Sequence, residues 1–127
     1  MNTTAISTKT VLLVDDFASV RFYHETLLKR AGFATLVAQD GQEALQMLEK
    51  NHVDLLMLDL NMPNKGGLEV LLRIGTIPHL SRLPVIVVTS EAKQLENTQL
   101  TCKVLQKPVS PETLLRLTSE LLSQSTH

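Results

Sequence analysis

Five short apolar runs along the chain predict β-strands. They are residues 11–14, 34–38, 53–58, 85–88 and 104–105, and the run after Gly32 is one of the weaker ones. The strongest runs are continuous or rich in β-branched residues, and they do not alternate between apolar and polar positions. This pattern is typical of strands that are covered on both faces, as in a parallel sheet.

Segments with helical spacing of apolar residues separate these runs. The apolar positions are Val20, Tyr23, Leu27, Leu28 and Ala31 in the first helix, Ala44, Leu45 and Leu48 in the second, Leu68, Leu71 and Leu72 in the third, and Leu114, Leu117 and Leu121 in the last. Ser110 and Pro111 have the residue types favoured at the N-cap and first position of the last helix. Residues 91–101 are the poorest helical candidate, because they contain few apolar positions.

The fivefold alternation of strand and helix predicts an α/β fold with right-handed crossovers. We expect a flavodoxin-like (βα)5 sandwich, in which a five-stranded parallel sheet of order 2-1-3-4-5 carries helices on both faces. The 127 residues contain no internal repeat, low-complexity tract or linker, which predicts one domain with its core at about residues 10–122.

Composition narrows the classes of function. The net charge of -1 gives no electrostatic reason to expect nucleic acid or an anionic membrane as a partner, and 3% aromatic residues with no Trp disfavour stacking of bases or flavins. Cys102 is the single cysteine, the N-terminus lacks an apolar signal region, and no apolar run is long enough to span a membrane. We therefore expect a cytoplasmic protein.

Polar residues follow four of the predicted strands. They are Asp15 and Asp16 after the first strand, Asp59 after the third, Thr89 and Ser90 after the fourth, and Lys107 after the fifth. The order 2-1-3-4-5 makes these strands neighbours, and ligands bind beyond the carboxyl ends of such sheets. We therefore expect three carboxylates, hydroxyl groups and an ammonium group to meet at one edge of the sheet.

This set of groups predicts a chemistry. Carboxylates placed close together raise one another's pKa unless a cation lies among them, and oxygen ligands from two or three side chains suit Mg²⁺. Lys107 and Thr89 can bind phosphoryl oxygens, and a carboxylate can itself attack phosphorus and form an aspartyl-phosphate. The site therefore predicts metal-assisted uptake of a phosphoryl group.

Taken singly, these residues have more ordinary interpretations. The aspartate pair could cap a helix, Lys107 could be a solvated loop residue, and Thr89 could end a strand without further role. The four histidines, His24, His52, His79 and His127, lack ligand spacing, and we expect them to be surface or structural residues. The prediction of a site depends on the convergence of the strand ends.

Four segments resemble the receiver domains of bacterial two-component response regulators. These are "VDD" at Asp15 and Asp16, "DLNMPNKGG" from Asp59, "VVTS" at Thr89 and Ser90, and "KP" at Lys107. The resemblance covers about residues 10–122 and is closest to stand-alone, CheY-like receivers. It implies a response regulatory domain without an output domain.

The resemblance also implies roles for individual residues. Asp59 would be the phosphoacceptor, and Mg²⁺ would be bound by the side chains of Asp16 and Asp59, by the backbone carbonyl of Asn61 and, through a water molecule, by Asp15. Lys107 would pair with the phosphoryl group, while Thr89, followed by Ser90, would form the switch that contacts it. The Lys107–Pro108 peptide bond would be cis. Asn61 and Glu91 would tune how fast the phosphoryl group is lost to water.

Two features depart from the usual receiver pattern. The spacing from Thr89 to Lys107 is short, which implies a shortened fourth helix, and Val104 occupies a position that is often aromatic. The resemblance therefore implies an altered readout at the surface of the fourth helix, fifth strand and last helix. We hypothesise that movement or ordering of residues 91–101 replaces the aromatic switch at Val104.

The sequence thus predicts a domain that takes a phosphoryl group from a histidine kinase or phosphotransfer protein onto Asp59 and then binds a target protein or relays the group. We expect a monomer or weak dimer with no enzymatic activity beyond self-phosphorylation and autodephosphorylation. One alternative is a Mg²⁺-dependent phosphohydrolase, but Asn61 stands where a second acid is common. A flavodoxin-like FMN protein is disfavoured by the acidic "DDFASV" loop. An interaction module that works without phosphorylation remains open.

Overall fold

The computed structural model describes residues 8–62, 66–91 and 102–124, which contain five strands and four α-helices. The strands are β1 (Thr10–Val14), β2 (Ala34–Ala38), β3 (Leu55–Asp59), β4 (Val85–Thr89) and β5 (Lys103–Gln106). The helices are α1 (Ala18–Arg30), α2 (Gly41–Lys50), α3 (Gly67–Ile74) and α4 (Pro111–Gln124), with a short 3₁₀ helix at Pro78–Leu80.

All five strands pair in parallel in the order β2-β1-β3-β4-β5. This confirms the predicted α/β fold and strand order. β1 and β3 are almost wholly buried because helices cover both faces of the sheet, which explains their continuous apolar sequence. The predicted fourth helix at residues 91–101, including its shortening, lies outside the residues described, apart from Glu91.

Two apolar clusters hold the helices against the sheet. On one face, Ala44 and Leu48 of α2 and Val70 of α3 pack with strand residues such as Leu12 and Leu56. On the other face, Leu28 of α1 and Leu114 of α4 pack with the alternate strand residues, such as Leu13 and Met57. The period-two alternation of side chains along each strand therefore feeds both clusters.

Side-chain hydrogen bonds lie at two element boundaries. Ser110 Oγ accepts the Thr113 N–H at 3.1 Å at the start of α4, so the predicted N-cap is confirmed. β3 begins at Leu55 rather than at residue 53. Directly before it, Asp54 Oδ2 accepts the Thr10 N–H at 2.8 Å, which ties the start of β1 to the segment that leads into β3.

The apolar spacing identifies the helices better than it identifies their buried faces. In α3, Leu68 and Leu72 are 51% and 53% exposed, because the buried stripe is formed by Val70, Leu71 and Ile74. In α1, Leu28 is the buried residue and Tyr23 is 48% exposed. No helix within the described ranges is both long and apolar enough to cross a membrane.

Candidate functional site

The carboxyl ends of four strands bring the predicted site residues to one edge of the sheet. Asp15 and Asp16 follow β1, Asp59 ends β3, Thr89 ends β4 and Lys107 follows β5. The strand registers align these ends, since Val14 pairs with Leu58, Asp59 with Val88 and Thr89 with Gln106. One carboxylate oxygen from each of the three aspartates lies within 4.8 Å of the others.

The two oxygens of Asp59 have different surroundings. Asp59 is 2% exposed. Its Oδ1 accepts the Asn61 N–H at 2.8 Å and lies 3.1 Å from Lys107 Nζ. Its Oδ2 is buried and has no hydrogen-bond partner among the described residues. A buried carboxylate oxygen without a donor is costly unless a cation or another ligand occupies the space beside it.

The aspartates after β1 also differ from each other. Asp15 is 7% exposed, and its Oδ1 accepts the Phe17 N–H at 3.0 Å. Burial raises the pKa of the Asp15 carboxyl above its ordinary value, and the charges of Asp59 and Asp16 raise it further. The Phe17 N–H and the charge of Lys107 oppose this rise. Asp16 Oδ1 is buried and lacks a donor within the described ranges, as Asp59 Oδ2 does.

The three carboxylates fit a divalent cation. Asp16 Oδ1 and Asp59 Oδ2 are unpaired buried acceptors in a cluster that has one ligand atom per residue within 4.8 Å. Hard cations such as Mg²⁺ and Ca²⁺ take oxygen ligands of this kind, and the remaining oxygens of Asp15 and Asp59 are already engaged by N–H groups. The donor set therefore suits a hard divalent cation.

The ends of β3 and β4 are bridged by Asn61. The Asn61 side-chain Oδ1 accepts the Ser90 N–H at 2.7 Å, and the buried Thr89 Oγ1 accepts the Glu91 N–H at 3.1 Å. The sequence does not predict the bridge from Asn61 to Ser90, because it joins residues 29 positions apart through one side-chain rotamer. It ties the Asp59 loop to the end of the neighbouring strand.

Lys107 is positioned by its own backbone. Its N–H donates to the Thr89 carbonyl at 2.9 Å, which extends the β4–β5 ladder by one bond beyond Gln106. The Lys107–Pro108 peptide bond is cis. The side chain is 33% exposed and its ammonium group reaches the nearly buried carboxylate of Asp59.

Two residues near the site have surroundings that the sequence pattern does not give. The sequence places His24 among surface or structural residues, but it shares a groove with Lys107. A Cβ on Gly67 would lie 3.1 Å from the Asp59 carbonyl oxygen, so α3 starts against the end of β3.

Val104 of β5 is half-buried and packs against the core. Residues 92–101, which we expect to act as the switch in place of an aromatic residue at Val104, lie outside the described residues.

Fold and site together define a class of protein. The chain is a flavodoxin-like α/β protein that presents a cluster of three aspartates and a lysine-paired carboxylate at the carboxyl edge of its sheet. This edge is where open α/β sheets bind their ligands.

Comparison with known proteins identifies the family within this class. The family model of the response regulator receiver domain matches residues 11–119, and the chain belongs to this family. It is 41% identical over 85 residues to the chemotaxis protein CheY of Pseudomonas aeruginosa, an alignment that covers 66% of this chain and 68% of that protein.

Solved structures agree in fold. The chemotaxis protein CheY4 of Vibrio cholerae superposes with a TM-score of 0.80 at 32% identity, over 91% of this chain and 99% of that one. A putative response regulator from Chloroflexus aurantiacus superposes with a TM-score of 0.81 at 28% identity, over 92% of this chain and 99% of that one. The predicted CheY-like receiver identity is thereby confirmed.

Proposed function

We propose that this receiver domain accepts a phosphoryl group on Asp59 in the presence of Mg²⁺. The main support is that the two oxygens of Asp59 have different surroundings. Oδ1 is held by Lys107 and the Asn61 N–H, while Oδ2 is buried beside Asp16 and has no hydrogen-bond partner among the described residues. This arrangement supports the proposal because Oδ1 fixes the orientation of the carboxylate, while Oδ2 is available to bind a metal ion or to react.

In the proposed reaction, a phosphohistidine of a histidine kinase or phosphotransfer protein is the donor. A carboxylate oxygen of Asp59 forms the new P–O bond while the N–P bond of the donor breaks, and the donor imidazole keeps the electron pair and takes up a proton. Asp59 is thus the nucleophile and then the carrier of the group. Acetyl phosphate can replace the protein donor, with acetate as the leaving group.

Asp16 and Asp59 are the proposed side-chain ligands of Mg²⁺, because each has an unpaired buried oxygen. Asp15 acts through a metal-bound water molecule, consistent with its Oδ1 being engaged by Phe17, and the Asn61 backbone carbonyl completes the protein ligands. When bound, Mg²⁺ offsets the negative charge that collects on the transferring group. Without it, three like charges oppose the approach of an anionic donor.

Lys107 and Thr89 are the proposed contacts of the phosphoryl group. The Lys107 ammonium already lies 3.1 Å from Asp59 Oδ1 and can follow the charge onto phosphoryl oxygens. Thr89 ends the adjacent strand and can donate its hydroxyl proton, with Ser90 next to it. Asn61 and Glu91 are proposed to tune hydrolysis. Asn61 also limits how far the β4 end can move, because it holds the Ser90 N–H.

The experiment is incubation with Mg²⁺ and acetyl phosphate, followed by intact-mass measurement. We expect the mass increase of one phosphoryl group in the wild type and none in Asp59→Asn. Glu120→Gln is the matched control, since it removes a carboxylate that is 52% exposed on α4, and it should label like the wild type. A wild type that takes up no label, or an Asp59→Asn variant that labels equally, would overturn the proposal.

We propose that the output is a change of binding to a target protein, or relay of the group, through the surface formed by residues 91–101, β5 and α4. Val104 is too small to act as an aromatic switch, so displacement or ordering of residues 91–101 is the proposed signal. Amide exchange of that segment should change when Mg²⁺ and fluoroberyllate are added. Unchanged exchange in a protein that demonstrably binds fluoroberyllate would refute this readout.

A further inference from the structure

A groove beside the site contains a titratable residue that the proposed reaction does not use. The groove has a volume of about 540 Å³ and is lined by Val20, Tyr23 and His24 of α1 and by Lys107 and Pro108 of the loop after β5. His24 is half-buried, and its ring centroid lies 5.6 Å from that of Tyr23 with the planes tilted by 49°. Its imidazole makes no hydrogen bond or ion pair within the described residues.

The charged groups that act on His24 are those of the site. Lys107 faces it from the loop after β5, and Asp59 acts on it from the end of β3. The nearest carboxylate on its own helix, Glu25, is engaged by Lys29 at 3.4 Å and by Thr35 at 2.8 Å. Lys107 therefore pairs with Asp59 and also lines the groove that contains His24.

Burial lowers the pKa of the His24 imidazole, the nearby Lys107 lowers it further, and Asp59 opposes both. The surroundings of the ring in the resting domain therefore favour its neutral form. At a constant Mg²⁺ concentration, a phosphoryl group on Asp59 adds negative charge at the end of β3. Added negative charge near His24 favours the protonated imidazole.

We propose that His24 is a positioning residue that acts through Lys107: the neutral ring leaves the ammonium group to Asp59, and phosphorylation of Asp59 favours the protonated ring, which confines Lys107 to the phosphoryl side. This inference rests on the proposed phosphorylation of Asp59. A protonated ring repels the Lys107 ammonium from the groove and adds positive potential at the site. The phosphorylated state is therefore stabilised as the pH falls through the titration of His24.

The coupling is reciprocal, so one number describes both directions. A single added charge that acts across a partly exposed site shifts a neighbouring pKa by roughly half a unit. By linkage, the affinity for a phosphoryl mimic then rises roughly threefold as His24 goes from neutral to protonated.

The test uses the full chain at saturating Mg²⁺, with fluoroberyllate as the probe. We expect NMR titration of the histidine ring protons to show the pKa of His24 rising by roughly half a unit when fluoroberyllate is added. His79, which is exposed near the start of β4 and lines a different groove, is the internal control. An unmoved His24 in a protein that binds the probe would overturn the inference.

A second arm measures fluoroberyllate affinity against pH in the wild type, His24→Gln and His79→Gln. The wild type and His79→Gln should gain roughly threefold in affinity at the acidic end relative to His24→Gln. Superimposable profiles would also overturn the inference. Because Mg²⁺-dependent binding that is lost in Asp59→Asn tests the proposed function separately, failure of that function and failure of the role of His24 are distinguishable.

Discussion

Asp15 has surroundings that oppose its own charge. It is 7% exposed and shares a 4.8 Å cluster with Asp16 and Asp59, and the Phe17 N–H and the charge of Lys107 compensate its charge only in part. Burial and like charges both favour the protonated form of such a group. In the absence of metal, the site therefore lowers the stability of the domain that carries it.

Asp15→Asn should stabilise the metal-free protein at neutral pH. The pKa of the folded Asp15 carboxyl lies above its ordinary value of 3.8, so the folded state binds the proton more tightly than the unfolded state. Stability is therefore lost as the pH rises from 3.8 through the raised pKa, and it stays lower above that range. The variant should be more stable by on the order of 1 kcal/mol, because Asn keeps the Phe17 acceptor and removes one like charge.

Urea unfolding in a chelator measures this difference. The advantage of the variant should disappear at a pH below 3.8, where both side chains are neutral, and should shrink at neutral pH when Mg²⁺ is added. Equal stability of the two proteins at neutral pH without metal would contradict the claim that the charge of Asp15 destabilises the metal-free domain.

At the scale of elements, the start of α3 is pressed against the end of β3. A Cβ on Gly67 would meet the Asp59 carbonyl oxygen at 3.1 Å and the Leu60 side chain at 3.3 Å. The neighbouring Gly66 has a φ of +73°, in the left-handed region that favours glycine, and it precedes the helix. The end of β3 is therefore held by close backbone contact with the start of α3, and Asn61 beyond it is held by the hydrogen bond from the Ser90 N–H.

Gly67→Ala should destabilise the domain by roughly 1–2 kcal/mol, because the new methyl group forces α3 away from the end of β3. Gly75→Ala is the matched control: its Cβ would lie 3.5 Å from the Leu72 carbonyl oxygen, an ordinary contact, and its φ of -66° suits alanine. Urea midpoints for the two variants measure the contrast. A Gly67→Ala variant as stable as Gly75→Ala would show that the α3 start moves without cost.

Strand and helix identities could be predicted from the sequence because their signals are local. The apolar runs of β1, β3 and β4 are continuous because both faces of the sheet are covered. The site residues could be predicted because open α/β sheets bind ligands at the carboxyl ends of their strands, and polar residues stand at those ends. The buried face of α3 could not be predicted, because apolar residues lie on both its buried and exposed sides. The Asn61 bridge and the groove at His24 depend on tertiary contacts that have no sequence period.

At the scale of the whole molecule, the site joins four strands that are distant in the chain. Asp15 and Asp16, Asp59, Thr89 and Lys107 come together only when β1, β3, β4 and β5 are in register. A cation that binds this folded arrangement, and binds the unfolded chain weakly, stabilises the entire domain by mass action.

Mg²⁺ should raise the melting temperature. At ten times its Kd the expected gain is about 1.4 kcal/mol, or roughly 5 °C for a domain of this size. Asp16→Asn and Asp59→Asn should lose this shift, and Glu120→Gln should keep it. Thermal unfolding with and without Mg²⁺ checks this, and a wild-type melting temperature indifferent to Mg²⁺ would count against the metal site.

The edge strand has a consequence for what the molecule can report. β5 has four residues, none of them buried, and the lysine of the site follows it directly. Short, exposed edge elements open at lower free energy than core strands. Uptake of fluoroberyllate should therefore fail at lower urea than the loss of helical circular dichroism. A partly unfolded molecule would thus lose phosphoryl uptake before it loses its helices. Under the proposed function, the phosphoryl group on Asp59 would then be carried by fully folded molecules alone.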